Sequence, residues 1–232
     1  MRTIIIGDIH GCSRTLRALL EQLKPESGRD RLILLGDLFD RGPDSRGVFL
    51  TVKQLAEEFG EDFILLLGNH EDYLLAPKLT LRQRMIWDKV GRQATVRSFQ
   101  AAGKKMEDTI PWLKAHVRLY WKDSGFQCVH AGLMVDPPEV NDLQTLVHDH
   151  GTVIMNRYSG PITITGHIAL NKATWFAGDG ETTEELEDGD KRCLPATGVI
   201  CIDTGCGKGG RLTAMVTDGK TYTLASVPEH GT

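Results

Sequence analysis

Several features are missing from this chain, and each gap removes a class of protein. No apolar run approaches the ~20 residues of a membrane-spanning helix. The cysteines Cys12, Cys128, Cys193, Cys201 and Cys206 are odd in number and contain no CxxC pair. That opposes a disulfide framework and a cysteine-based zinc knuckle, and suits reduced thiols. Basic excess is also missing: the net charge is −4, which opposes broad electrostatic binding to nucleic acid. Aromatic residues are only 6% of the chain. No repeat, coiled coil, low-complexity tail or linker divides it, so residues 1–232 are read as one domain with a sizeable core. The first residues run directly into Arg2-Thr3-Ile4-Ile5-Ile6 without a signal-peptide layout, and a cytoplasmic protein is expected.

A repeated unit is present instead: a short apolar run, then a polar turn flanked by glycine. Residues 3–6 form the first run, which ends in Gly7-Asp8-Ile9-His10-Gly11. Alternation puts Asp8 and His10 on one side of an extended segment, where both can reach one cation. Taken alone, the pair reads equally as a helix-entry loop. Ser13 to Leu23 follows with helical leucine spacing, Ser13 being the expected N-cap. Residues 32–35 form the second run, closed by Gly36-Asp37-Leu38-Phe39-Asp40-Arg41-Gly42 and a helix over roughly 45–58. Asp40 and Arg41 could be a surface pair of little energetic value. The ends of parallel strands, however, are where open α/β sheets bind ligands. Phe63 to Leu67 is the third run, and Gly68 turns the backbone into Asn69-His70-Glu71. Asp8, His10, Asp37 and Asn69 offer oxygen and imidazole without thiolate. That donor mix suits Mn²⁺, Fe²⁺ or Zn²⁺ at a catalytic site.

Residues 72–116 have helical patterning. Leu74, Leu75, Leu79 and Leu81 are expected in the core, and Trp87, Val90, Val96 and Phe99 fit an amphipathic helix pair. Lys78, Arg82, Arg84, Lys89, Arg92 and Arg97 read either as a solvated face or as a cap that attracts an anionic substrate. Val117 to Lys122 and Gly125 to Val129 are expected strands around a turn at 123–125, the second entering His130-Ala131-Gly132. Residues 162–165 run into Gly166-His167. The last third is β-rich, and Asp218-Gly219 signals a hairpin. Gly178 to Arg192 holds seven acidic residues, and 178–192 is read as an exposed loop without EF-hand spacing.

Taken in order, GDIHG (7–11), GDLFDRG (36–42), GNHE (68–71), HAG (130–132) and GH (166–167) resemble the phosphoprotein phosphatase family of calcineurin-like metallophosphoesterases. The resemblance runs from residue 4 to about 217, and IDTGCGKGGRLTA (202–214) is similar to the C-terminal strand and turn of the bacterial members. It implies an α/β (α+β) fold, a central β-sandwich flanked by helices, with a dinuclear site at strand ends. Asp8, His10 and Asp37 would hold one cation, and Asp37, Asn69, His130 and His167 the other. Manganese is expected, with iron or zinc as alternatives. Arg41 would bind the substrate phosphate, and His70, oriented by Asp40, would be the general acid. The implied reaction is in-line attack on phosphorus by a hydroxide held between the cations. Bacterial relatives carry a Trp-x-Arg element between HAG and GH. Here that region reads Leu146-Val147-His148-Asp149-His150, and Arg157 is the replacement the sequence offers.

These readings imply a hydrolase of phosphomonoesters, first a bacterial or phage-type serine/threonine protein phosphatase. The alternative is a symmetrical diadenosine tetraphosphate hydrolase or another nucleotide phosphatase. A non-catalytic scaffold is the remaining option, but it should have lost ligands, and every ligand position is filled. Partners are expected to be a phosphoprotein or a small phosphoester, not nucleic acid or membrane. Residues 72–116 are expected to form a helical cap within the single domain.

Overall fold

The three apolar runs at the start of the chain become parallel neighbours, so the polar turns after them meet at one edge. The computed structural model describes residues 1–123 and 125–230. Ser124, in the expected 123–125 turn, lies outside the described residues. In chain order, β1 (Arg2–Ile6) leads through α1 (Ser13–Leu23) to β2 (Asp30–Leu34), and α2 (Ser45–Phe59) leads to β3 (Phe63–Leu66). Helices α3 (Asn69–Leu75), α4 (Leu81–Lys89), α5 (Arg92–Gln100) and α6 (Ile110–His116) follow. Next come β4 (Val117–Arg118), β5 (Tyr120–Lys122), β6 (Gln127–Val129), α7 (Leu143–His148) and α8 (Gly151–Ile154). Strands β7 (Thr163–Thr165), β8 (Thr174–Phe176), β9 (Thr183–Glu185), β10 (Arg192–Cys193) and β11 (Val199–Cys201) precede β12 (Asp203–Thr204), β13 (Arg211–Thr217) and β14 (Thr221–Pro228).

Among the described residues, one sheet has eight strands, β10-β14-β13-β1-β2-β3-β4 with β12 on β13, and the other has six, β5-β6-β7-β11-β8-β9. β1 to β4 are parallel, with Ile6 beside Leu34 and Leu34 beside Leu65. β6, β7 and β11 are parallel in the second sheet. Alternation sorts the side chains between two cores. Ile5, Ile33 and Ile64 meet Ile164, Ile200 and Met215 between the sheets. Ile4, Ile6, Leu32 and Leu34 face the other way, onto Leu16 and Leu19 of α1 and Val48 and Val52 of α2. Val129 and Cys201 pack on Leu146 and Val147 of α7. The expected sandwich with outer helices is therefore present. Each fully buried Ile or Leu contributes about 1.5–3 kcal/mol. A one-residue slip of β1 would turn that whole set to the wrong side.

The differences from the sequence reading have local causes. Val117 to Lys122 is two strands: β4 pairs with β3 in one sheet, and β5 pairs with β6 in the other. The chain changes sheets at Leu119, and an alternating pattern carries no mark of that. Cys12, not Ser13, occupies the N-cap of α1, and the Ser13 hydroxyl donates to Asp44 Oδ2 at 2.5 Å. Leu81 is 76% exposed because α4 turns it outward. Within 178–192, Thr183–Glu185 pairs with β8, and Leu186 is buried. Asp218-Gly219 joins β13 to β14 as a hairpin. Among the described residues, no helix is long and apolar enough to cross a membrane.

Candidate metal centre

The turns after β1, β2 and β3 converge with His130 after β6 and His167 after β7. Their backbone is strained. Among the described residues seven non-glycine residues have positive φ, and five of them are His10, Asp37, Asp40, Arg41 and His167. Left-handed backbone costs such residues on the order of 1–3 kcal/mol each and survives only where neighbours hold it. Here the loops hold one another. The N–H groups of Ile9 and His10 donate to Asp37 O at 3.1 and 2.9 Å, and Gly42 N donates to His10 O at 2.9 Å. Glu71 completes the lock: its carboxylate accepts from Asp37 N (2.8 Å), Leu38 N (2.9 Å) and Phe39 N (3.3 Å).

Gly68 is needed for a reason other than the turn that was expected. Its φ is −85°, open to any residue. A Cβ there, however, would lie 2.2 Å from Asp37 N and from Asp37 Oδ1. Gly166 is similar, since a Cβ would meet Asp8 Oδ1 at 2.1 Å. Both glycines let backbone approach a carboxylate.

The donor atoms form two groups that share Asp37. One joins His10, Asp37 and His70, and the other joins Asp37, His130 and His167, with ligand atoms in each group within 4.8 Å of one another. Asp8 borders the first, its Oδ2 lying 3.9 Å from His10 Nε2. Asn69 Oδ1 sits in the second, 3.1 Å from His130 Nε2 and 2.9 Å from His167 Nδ1. The tautomers follow from the outer partners. His10 Nδ1 donates to Phe39 O at 2.9 Å and His130 Nδ1 to Leu35 O at 2.7 Å. Each Nε2 therefore turns a lone pair inward. That of His10 faces Asp37 Oδ2 at 3.6 Å, and that of His130 faces Asp37 Oδ1 at 3.5 Å. Among the described residues, Asp8 Oδ1 and His167 Nε2 are buried without a hydrogen-bond partner. His10 Nε2 accepts from Arg41 Nη1 and Asp37 Oδ1 from His70 N, but buried acceptors left without a donor, as Asp8 Oδ1 and His167 Nε2 are, are costly unless a cation lies among them. The residues present thus fit divalent metal. Asp8, His10 and Asp37 would hold one ion, and Asp37, Asn69, His130 and His167 a second, with the outer carbonyls fixing the imidazoles.

The electrostatics agree with that donor set. Burial lowers the pKa of His10 and His130, so both favour the neutral, ligating form. Burial, then His130, pushes His167 down to about 2. Burial alone would raise Asp37, but His70, His130, His10 and His167 together hold it below the usual carboxylate range. Asp8 moves upward through burial and the charges of Asp203 and Asp37.

His70 differs from the other imidazoles. Its Nδ1 donates to Asp40 Oδ2 at 2.6 Å. Burial works against its charge, yet Asp37 and Asp40 outweigh burial and raise its pKa. Asp40 is itself held by Trp87 Nε1 (2.7 Å), which donates to Oδ2, and by the Thr95 hydroxyl (2.6 Å), which donates to Oδ1. Arg41 donates through Nη1 to His10 Nε2 at 2.7 Å, and its Nη2 lies 3.5 Å from His70 Nε2.

Arg157 is not brought into this group. It is exposed, and its neighbour Tyr158 is tied through its hydroxyl to the Gln127 amide (2.8 Å), at the opposite end of β6 from His130. The ring that does reach the centre from this region is His150, 4.6 Å from the ring of His167. Sequence reasoning also passed over Asp203, which is buried with Oδ2 unpartnered beside Asp8. Its signal was available, because an apolar run ending in an acid is the pattern that marked Asp8 and Asp37. Glu71 lay in view within GNHE, but nothing local announces that it caps another loop.

A family model described as calcineurin-like phosphoesterase matches residues 1–215. The symmetrical bis(5'-nucleosyl)-tetraphosphatase of Coxiella burnetii (strain CbuG_Q212) is 32% identical over 191 residues, 82% of this chain and 58% of that protein. The enzyme of the same name from Photorhabdus laumondii is 38% identical over 134 residues, 57% of this chain and 45% of that one. The chain thus spans about half the length of the curated relatives it matches. A metallophosphoesterase structure from Sphaerobacter thermophilus superposes with a TM-score of 0.67 at 17% identity, covering 99% of this chain and 90% of that one.

Proposed function

The chain belongs to the calcineurin-like phosphoesterase family, and on that premise we propose that it hydrolyses nucleoside polyphosphates, cutting dinucleoside tetraphosphates symmetrically into two nucleoside diphosphates. The single observation behind phosphoester hydrolysis is that Asp37 belongs to both ligand groups. The substrate class draws its support from the relatives named as symmetrical tetraphosphatases. It replaces the protein phosphatase favoured by motif resemblance alone, since the shared motifs describe only the inner site.

Two bound divalent cations would supply Lewis acidity, lowering the pKa of water and neutralising phosphoryl oxygens. The chain supplies the rest. Arg41 presents its guanidinium beside His10 and His70, where it can pair with a non-bridging phosphoryl oxygen and gather charge as the transition state forms. His70 carries its second proton on Nε2, the atom opposite Asp40, and gives it to the departing phosphate oxygen. Asp40 fixes that imidazole and favours its charged form. Trp87 and Thr95 stop the carboxylate from turning. The native metal is read as manganese, with iron or zinc as alternatives.

A competition tests the reading. Metal-stripped protein is reloaded with Mn²⁺ and offered diadenosine tetraphosphate together with a phosphothreonine peptide. Preferential formation of ADP is expected. Preferential release of phosphate from the peptide would return the assignment to a protein phosphatase.

A further inference from the structure

Beyond the ligand groups, α3 continues outward into an open cleft of about 750 Å³. This falls within the range of small-molecule sites, about 300–1,000 Å³. Asp72 and Tyr73 form its floor, Arg82 and Ile86 of α4 one wall, and Leu143 and His148 of α7 the other. Tyr73 follows His70 by three residues, so both project from one face of α3. The leaving group accepts its proton from His70 and must therefore depart on that side.

The lining chemistry suits a flat, partly polar body carrying phosphate. The half-buried Tyr73 ring touches the rings of Trp87 (centroids 6.0 Å, tilted) and His148 (5.7 Å, edge-on), which hold its orientation. Ile86 and Leu143 are 40% and 43% exposed on opposite walls. Exposed apolar side chains contributed to one open cleft by two helices are the kind of surface that marks a ligand site. Two acids line the cleft and both already have partners: His148 donates to Asp72 Oδ2 at 2.8 Å, and Thr145 N donates to Asp142 Oδ1 at 2.8 Å. Among the described residues Arg82 makes no ion pair, which leaves its charge for an anion.

We propose that this cleft is the seat of the departing nucleotide, with the base against Tyr73 between Ile86 and Leu143 and a phosphate reaching Arg82. The proposal rests on the nucleoside polyphosphate reading and assigns the part of the substrate that the metal centre does not touch. A polyphosphate alone would use only the metal centre and Arg82. The nucleoside is what the apolar walls and Tyr73 add.

The test separates the two readings. With hydrolysis of p-nitrophenyl phosphate by the Mn²⁺-loaded protein as the readout, inhibition by ADP is compared with inhibition by inorganic pyrophosphate at constant free Mn²⁺. ADP should inhibit about tenfold more tightly, the size of one base–aromatic contact. In both Ile86→Glu and Leu143→Glu, made on opposite walls, that ratio should fall towards one, and KM for diadenosine tetraphosphate should rise about tenfold. A ratio near one in the unmodified protein, or a ratio that survives both substitutions, overturns the cleft assignment even if ADP is still formed from diadenosine tetraphosphate. If no ADP is formed while the ratio is present and collapses in both variants, the substrate reading fails and the cleft stands as a nucleotide site. Should KM for a phosphothreonine peptide shift in both variants and the ADP ratio stay constant, the cleft is a peptide groove and the proposal is wrong.

Discussion

At the strand ends, Asp8, His10, Asp37, Asp40 and His70 are all at most 2% exposed, and in the cleft beyond them Ile86 and Leu143 stand 40% and 43% open to solvent. In the first region the loops are bonded to one another, and His10, Asp37, Asp40, Arg41 and His167 sit in strained backbone. In the second, the walls come from separate helices and present apolar tips. Chemistry on phosphorus tolerates little displacement, so its groups are over-determined by neighbours. Choosing among phosphoesters needs a surface that a substrate can enter and leave. The two regions meet at Trp87, whose indole holds Asp40 while its ring faces Tyr73. A contact that holds Asp40 beside His70 thus also shapes the cleft.

The strongest way to break this contrast is to strike the inner region and look for a change confined to chemistry. His70→Asn should lower kcat by about 10²–10⁴-fold, the usual worth of a general acid, with metal content intact by elemental analysis. Activity near the unmodified level on a poor leaving group would remove His70 from that role. Asp37→Asn comes next. As the member common to both ligand groups, it should weaken both metals by more than the ~10–100-fold typical of an outer-shell change. Two equivalents of metal at ordinary affinity would show that Asp37 is no bridge. Glu71→Gln acts on the lock rather than the ligands. An amide cannot accept from three backbone N–H groups as a carboxylate does, and at least one buried donor should be left without a partner. A stability loss of about 1–3 kcal/mol in urea unfolding is expected, with turnover falling as the loop loosens. Unchanged stability would mean that the second loop holds its shape without Glu71.

How much of this could be read beforehand follows the same division. The convergence of the residues expected as ligands was legible because each stands directly after an apolar run, and strand, turn and donor lie within about six residues of one another. The sandwich was legible because period-two alternation in short runs says which faces are buried. Trp87 and Thr95 were not legible as supports of Asp40, since they lie 47 and 55 residues away from it and only the packing of α4 and α5 brings them back. Arg157 was chosen by residue type, to fill a missing arginine. The fold instead places His150 against His167, because α7 ends there. The crossing at Leu119 was invisible because both halves of Val117–Lys122 carry the same strand pattern.

The smallest effect should come from the pole opposite the metal centre, and it tests whether the contrast is confined to the strand ends. Asp218 lies in the β13–β14 turn. Thr3 of β1 pairs with Thr217, so this turn sits at the start of β1, away from Asp8. Its carboxylate accepts from Thr221 N at 2.7 Å and Lys220 N at 2.9 Å, and these bonds bring its pKa down to about 2. A carboxylate depressed by folding stabilises above its unfolded pKa of about 3.9, and that contribution fades as pH falls toward the folded value. Asp218→Ala should therefore lower Tm slightly at pH 7, and the gap from the unmodified protein should narrow between pH 5 and pH 3. Hydrolysis of p-nitrophenyl phosphate should not change, because among the described residues no hydrogen bond runs from this turn to the ligand loops. A gap that widens in acid would assign the turn's stability to something other than its carboxylate. An accompanying loss of activity would show that the sheet transmits strain from this hairpin to the metal centre, and the separation drawn between rigid chemistry and its surroundings would then have to include the whole length of β1.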